Sequence, residues 1–230
     1  MVKNKDYWSE HWKTHSKLDE KHPQLQVART KEGKIISNNN WQKTVQSIFK
    51  IIQIKENQIV LDLCCGNGLL SKELAWNCKK VVSVDYSQEL LDKFVTKAGN
   101  IEKMQSNALN VQFDNNNFDV IIIYFAIQHF TEQEAIELIG KCKNWLKPGG
   151  KLLVGDIPEL EKKWEFYSTK KYRVNYISSI IKDEPIIGTW FSREFYKSVG
   201  EYYNFSETNI IDQEEFMINH NIRFDVLYEK

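Results

Sequence analysis

The stretch I-V-L-D-L-C-C-G-N-G-L-L-S, residues 59–71, constrains the fold more than any other part of the chain. Its apolar first half, ending near Asp62, reads as a short strand, and Leu69–Trp76 has helical apolar spacing. Between them Gly66 and Gly68 allow a tight turn and a close approach of backbone to ligand. The helix that follows offers its unpaired N–H groups. A second apolar run, V-V-S-V-D-Y, ends with Asp85 seventeen positions after Gly68. A carboxylate there can accept both hydroxyls of a ribose; the competing reading is a solvated Asp capping the helix that starts at Ser87.

The chain around this turn alternates. Strands are expected at Gln58–Leu63, Lys80–Val84, Ile101–Gln105, Phe118–Phe125 and Lys151–Gly155, and helices at Leu69–Trp76, Gln88–Lys97 and Glu132–Trp145. Unbroken apolar strands between helices imply an α/β protein with a parallel sheet covered on both faces. Two closing strands follow at Tyr202–Asp212 and Arg223–Tyr228. Helical spacing also marks Trp41–Ile54 and a short segment near residues 5–15. We divide the chain into an N-terminal helical segment or lid (1–40) and a main domain (41–230). Within it, residues 156–200 leave the rhythm and are rich in aromatics. They read either as packing for the sheet's edge or as a substrate cap over the strand ends.

Charge and cysteine content remove several classes. Lys plus Arg and Asp plus Glu are 31 each, so nucleic acid or an anionic membrane finds no bulk electrostatic attraction. The longest apolar run, Val120–Ile127, is too short to insert across a bilayer, and the N-terminus lacks the apolar core of a signal peptide. A cytoplasmic protein is expected. Cys64, Cys65, Cys78 and Cys142 form no C-x-x-C pair, and no histidine stands beside them at zinc spacing, so buried reduced thiols and no metal are expected.

A dinucleotide site wants G-x-G-x-x-G, and here G-N-G-L-L-S lacks the third glycine, leaving a nucleoside ligand without pyrophosphate. Five ordered pieces over about residues 40–156 resemble the class I S-adenosylmethionine-dependent methyltransferases. They are V-L-D-L-C-C-G-N-G, V-V-S-V-D-Y-S, S-N-A-L, F-D-V-I-I-I-Y-F-A-I-Q-H-F and L-K-P-G-G-K-L-L-V-G-D. The resemblance implies a Rossmann-like, seven-stranded, mostly parallel sheet with helices on both faces and a final antiparallel strand. It also implies S-adenosyl-L-methionine as cofactor. Asp62, Cys64, Gly66 and Gly68 would line its methionine end, Asp85 would hold the ribose and Tyr86 cover the adenine. Asn107 would accept from the adenine amino group, unless it is an ordinary turn asparagine. Ala108 would serve a ring nitrogen and the Phe125 carbonyl the ammonium. Apart from the resemblance, a lid formed by the N-terminal segment would fold Arg29, Lys34 and Trp41 across the cofactor's carboxylate. Cys64 departs from the family, which usually has its first glycine there.

Q-V-A-R-T, Gln128-His129-Phe130, Gly155-Asp156-Ile157-Pro158 and H-N-I-R-F-D also resemble bacterial methyltransferases of surface-polysaccharide synthesis. That resemblance implies a small-molecule acceptor: a hydroxyl of a sugar, nucleotide-linked sugar or capsule or lipopolysaccharide precursor. A hydroxyl acceptor needs its proton removed. His129 is either that base or a helix-entry residue before Thr131, and Asp156 is either a second candidate or a turn residue. Tyr167, Trp190, His220 and Arg223 are the candidate substrate contacts. No N/D-P-P-Y/F run follows the fourth strand, so the usual clamp for amino acceptors in DNA is missing. A non-catalytic binding subunit, or action on another small metabolite, is the alternative.

Overall fold

The computed structural model of the chain describes residues 4–18, 21–31, 33–184 and 187–230; of residues 4–6 it gives the backbone alone. Parts of the expected lid (1–3, 19, 20 and 32) and of the expected cap (185 and 186) lie outside the described residues. The strands are β1 (Ile59–Leu63), β2 (Lys80–Asp85), β3 (Ile101–Gln105), β4 (Phe118–Tyr124), β5 (Leu146–Pro158), β6 (Glu207–Asp212) and β7 (Arg223–Glu229). They form one sheet in the order β3-β2-β1-β4-β5-β7-β6. β7 runs antiparallel to both neighbours and the remaining pairs are parallel. This is the Rossmann-like mixed sheet that the sequence led us to expect.

The helices are α1 (Asn4–His15), α2 (Asn38–Ile52), α3 (Ser71–Ala75), α4 (Gln88–Lys93), α5 (Glu132–Trp145), α6 (Lys170–Lys182) and α7 (Arg193–Tyr202), with single turns at Pro23–Gln26 and Lys163–Phe166. Successive strand residues point to opposite faces. Val60, Val120, Ile122 and Leu153 therefore meet Val45, Ile48 and Ile52 of α2 and Leu74 of α3. Leu61, Ile121, Ile123 and Leu152 meet Leu138, Ile139 and Cys142 of α5, with Tyr196 and Val199 of α7. Each such side chain contributes roughly 1.5–3 kcal/mol by leaving water. Two cores on one sheet explain why β4 reads as an unbroken apolar run.

Several boundaries differ from the sequence reading: β6 begins at Glu207, because Tyr202 still belongs to α7, and β5 runs on to Pro158. The Lys147-Pro148-Gly149-Gly150 stop does end α5, but β5 begins at once. The Gly149 N–H donates to the Lys230 carbonyl (2.8 Å) and Lys230 N–H to that of Gly150 (3.0 Å), which draws the stretch into the sheet. α4 stops at Lys93 because Phe94 turns inward and is fully buried. Chain order reverses at β1, between β2 and β4, and in open α/β sheets a crevice forms beyond the strand ends at such a point.

Candidate active site

A cavity of about 400 Å³ lies beyond the carboxyl ends of β1, β2 and β4. The backbone there is unusual. Cys64, Gly66 and Gly68 all have positive φ (63°, 56° and 72°), as do Phe125 (67°) just past β4 and Asp156 (60°) at the irregularity within β5 between Val154 and Ile157. For non-glycine residues this conformation is costly, and it persists where surrounding contacts over-determine it. Cys64 thus holds a left-handed turn that a glycine would adopt more easily.

Asp85 pins the turn. Its carboxylate accepts the Gly66 N–H (2.8 Å) and the Ser87 N–H (2.9 Å). Burial pushes this carboxyl up to about 6, against the N–H bonds that pull it down. The cap of α4 belongs to the Ser87 hydroxyl, which accepts the Leu90 N–H, so Asp85 remains a wall of the cavity. Asp62 accepts the Ser71 hydroxyl at 2.5 Å, and Ser71 in turn accepts that of Ser83. Burial raises Asp62 to about 7. Cys64 and Gly66 line the cavity beside it, but Gly68 does not. A Cβ on Gly68 would come within 2.3 Å of the Phe94 ring, so close packing requires a glycine here.

Tyr86, Asn107 and Ala108 line the cavity on the β2 side. The Asn107 Oδ1 accepts the Leu109 N–H (2.8 Å), the turn role that was the alternative to adenine contact.

The N-terminal segment forms the opposite wall through Trp8, Ser9, Trp12, Val27 and Arg29. Asn67 Nδ2 donates to the Pro23 carbonyl and to Gln26 Oε1, and Val27 sits where a side chain on Gly66 would lie. The Arg29 guanidinium stacks 3.3 Å from the centre of the Phe125 ring. Lys34 is exposed, and Trp41 is buried in α2 with its indole N–H on Glu73, so neither reaches the cavity. The Phe125 carbonyl accepts Gln128 Nε2 (3.0 Å). Arg29 Nε, Gln128 Oε1 and His129 Nδ1 are buried without a hydrogen-bond partner. Three orphaned polar atoms on residues of one cavity mark a place where a polar ligand completes the set.

His129 lies under α1, its ring 4.0 Å from Trp8 and 5.5 Å from Trp12, both edge-on. Burial, then the charges of His11 and Arg223, push its pKa down to about 3, so it is neutral. Thr131 caps α5 in a capping box with Glu134.

The remaining candidates stand elsewhere. Asp156 does not line the cavity; it is taken up by Arg29 and Arg223, each 3.0 Å from its Oδ2. Tyr167 and Trp190 face each other (6.0 Å) in a separate cluster with Ile187 and Ile222. His220 sits in the turn before β7, outside the cavity lining. Sequence reasoning missed Trp8, Trp12, Gln128 and Thr189 as cavity residues. The Trp8–Trp12 spacing, one helical turn, was the available signal for the first two. Among the described residues, no group of three or more His, Cys, Asp or Glu side chains could hold a metal ion. Nor is any described helix long and apolar enough to cross a membrane.

The family described as a methyltransferase domain matches residues 60–150, from β1 into β5. A ubiquinone/menaquinone biosynthesis C-methyltransferase of Francisella tularensis subsp. novicida is 35% identical over 144 residues, 56% of this chain and 56% of that protein. The chain spans about half the length of the curated relatives it matches. A Leishmania major S-adenosylmethionine-dependent methyltransferase superposes with TM-score 0.68 at 12% identity, covering 97% of this chain and 83% of that one. The magnesium protoporphyrin IX methyltransferase of Synechocystis with bound S-adenosylhomocysteine superposes with TM-score 0.57 at 16% identity, covering 83% and 82%.

Proposed function

We propose that this chain, whose residues 60–150 match a methyltransferase domain, is an S-adenosylmethionine-dependent methyltransferase acting on a small polar acceptor held in the cavity that His129 and α1 line together. One observation carries the reading: the matched residues build the cavity wall at the switch point, and the polar groups there suit that cofactor. The Asp85 carboxylate accepts the Gly66 and Ser87 N–H groups, one on each oxygen, and as an acceptor-only group has further lone pairs with which to meet a ribose hydroxyl. Tyr86 would cover the adenine, with Asn107 and Ala108 beside it. Asp62, Cys64 and Gly66 would line the methionine end. Arg29 would answer its carboxylate; the Phe125 carbonyl and Gln128 Oε1 would answer its ammonium.

When bound, the cofactor supplies an electrophilic methyl group on its sulfonium. The chain's own share is alignment, exclusion of water and handling of the acceptor's proton. Trp8 and Trp12 close the cavity over the strand ends. His129 is neutral and its Nδ1 has no partner, so it would accept a hydrogen bond from an acceptor hydroxyl and orient it; with its pKa pushed down to about 3 it is a weak base for removing the proton outright. Asp156 acts at one remove, by holding Arg29.

The acceptor we favour is a hydroxyl of a sugar, nucleotide-linked sugar or capsule or lipopolysaccharide precursor. Two indoles on the cavity wall suit the C–H face of a sugar, while Gln128 and Thr189 add polar groups. The second reading is a ring carbon of a quinone precursor, favoured by the C-methyltransferase relatives and the same aromatic wall. Calorimetry with S-adenosylmethionine, S-adenosylhomocysteine and NAD tests the cofactor: both sulfur ligands should bind, and binding of NAD alone would overturn the reading. Mass spectrometry after incubation with nucleotide sugars or hydroquinones then separates the acceptors by which one gains 14 mass units, the mass of one methylene. Cofactor binding with no transfer to any acceptor would favour the non-catalytic subunit.

A further inference from the structure

α6, K-K-Y-R-V-N-Y-I-S-S-I-I-K, turns its apolar stripe away from the protein. Val174, Ile177 and Ile181 are 57%, 52% and 80% exposed. Their spacing is the one by which Val45, Ile48 and Ile52 of α2 enter the core. α6 is held through half-buried Tyr176 and Ser178 and buried Ser179, and Arg173 donates to the Tyr167 and Ser168 carbonyls. The helix carries Lys170, Lys171, Arg173 and Lys182 and no carboxylate, in a chain whose total charge is zero. At 100° per residue, Arg173 flanks the stripe on one side, Lys171 and Lys182 on the other, and Lys170 continues it. Among the described residues, none of the four forms an ion pair.

We propose that α6 is a peripheral membrane-binding helix and that an anionic bilayer surface covers its stripe. Apolar side chains enter the headgroup boundary while Lys and Arg on either flank reach out to anionic headgroups. Zero net charge does not oppose this, because attraction falls off within a Debye length and only the local face counts. A second copy of the chain is a poorer occupant, since it would set four cations against four. The C-terminal end of α6 lies near α1: the Glu184 carboxylate acts on the Tyr7 phenol and helps raise its pKa. The bilayer would therefore lie beside the helix that walls the cavity, within reach of an acceptor carried on a membrane. That corollary rests on the methyltransferase reading; membrane binding itself does not.

Co-sedimentation of the full chain with phosphatidylcholine vesicles, with and without phosphatidylglycerol, tests the proposal. Binding should appear with phosphatidylglycerol, fall at least tenfold in high salt, and be absent with phosphatidylcholine alone. Ile177→Glu/Ile181→Glu and Lys170→Glu/Arg173→Glu should each weaken it at least tenfold and leave S-adenosylhomocysteine affinity unchanged. The wild-type dependence on lipid charge stands apart from any folding defect of the variants. No binding to anionic vesicles, or binding indifferent to salt and to both variants, overturns the proposal. So does a wild-type dimer by light scattering that Ile177→Glu/Ile181→Glu dissociates, which would show a second copy on this face.

Discussion

Arg29 and Asp156, 127 positions apart in sequence, form a 3.0 Å ion pair with both side chains almost wholly out of water. The pair joins the N-terminal segment to the end of β5. Around it, Asp156 also holds Arg223, and its N–H donates to Asp225, which accepts the Tyr124 hydroxyl (2.6 Å) and the Gln213 amide (2.8 Å). Burial disfavours the charge on Arg29, and the Asp156 carboxylate works against that.

Breaking this cluster should be costly in an order the geometry sets. Asp156→Ala leaves two buried guanidiniums short of a partner, and loses about 3–5 kcal/mol, or a Tm fall of roughly ten degrees. Arg29→Met leaves Asp156 paired with Arg223 and should cost less. Thermal unfolding of the two variants gives the order, and a larger fall for Arg29→Met would contradict the network described.

Cofactor affinity should depend on pH through Asp85. With its carboxyl at about 6 in the free protein, the ionised form that accepts ribose hydroxyls is full at pH 7.5 and about one part in eleven at pH 5. S-adenosylhomocysteine should bind about tenfold more weakly at pH 5, and Asp85→Asn should bind weakly with that pH dependence removed. Calorimetry at the two pH values decides.

His129 should make the fold acid-sensitive. Its pKa of about 3 in the folded protein lies below the unfolded value of about 6.5, so between them only the unfolded chain takes up the proton. Stability from this group is whole above 6.5 and is lost as pH falls toward 3. Asp62, Asp85 and Asp225, raised to about 7, 6 and 6, have the opposite sign and lose stability as pH rises from about 4. His129→Gln should therefore gain on the wild type by about 2 kcal/mol between pH 7 and pH 5, read from urea unfolding. A fall in kcat of about 10²–10⁴ in the same variant would show that His129 removes the proton after all.

Gly68 should prove a folding residue. Gly68→Ala would press a methyl into the Phe94 ring at a φ of 72°, so about 2–4 kcal/mol should be lost. Phe94→Leu in the same chain should recover part of it. If Gly68→Ala keeps its Tm but loses cofactor binding, the residue belongs to the ligand site.

What the sequence by itself determined is local or periodic. β1 and β4 were legible because apolar residues on both faces record two buried cores. The turn was legible because Gly66 and Gly68 permit what few residues can, and the start of α5 because Thr131 is a residue type that caps a helix, a role the structure completes with Glu134. Tertiary structure decided which side chains meet. Asp156 reads as a free carboxylate at a strand end until Arg29 arrives from the N-terminal segment, and Tyr167 and Trp190 read as site residues until Ile187 and Ile222 enclose them. Trp8 and Trp12 read as the apolar side of a short helix until folding lays them over His129. Such pairings depend on the relative placement of distant elements, which residue type and spacing do not encode, because the energy of a contact exists only once the chain has brought its two halves together.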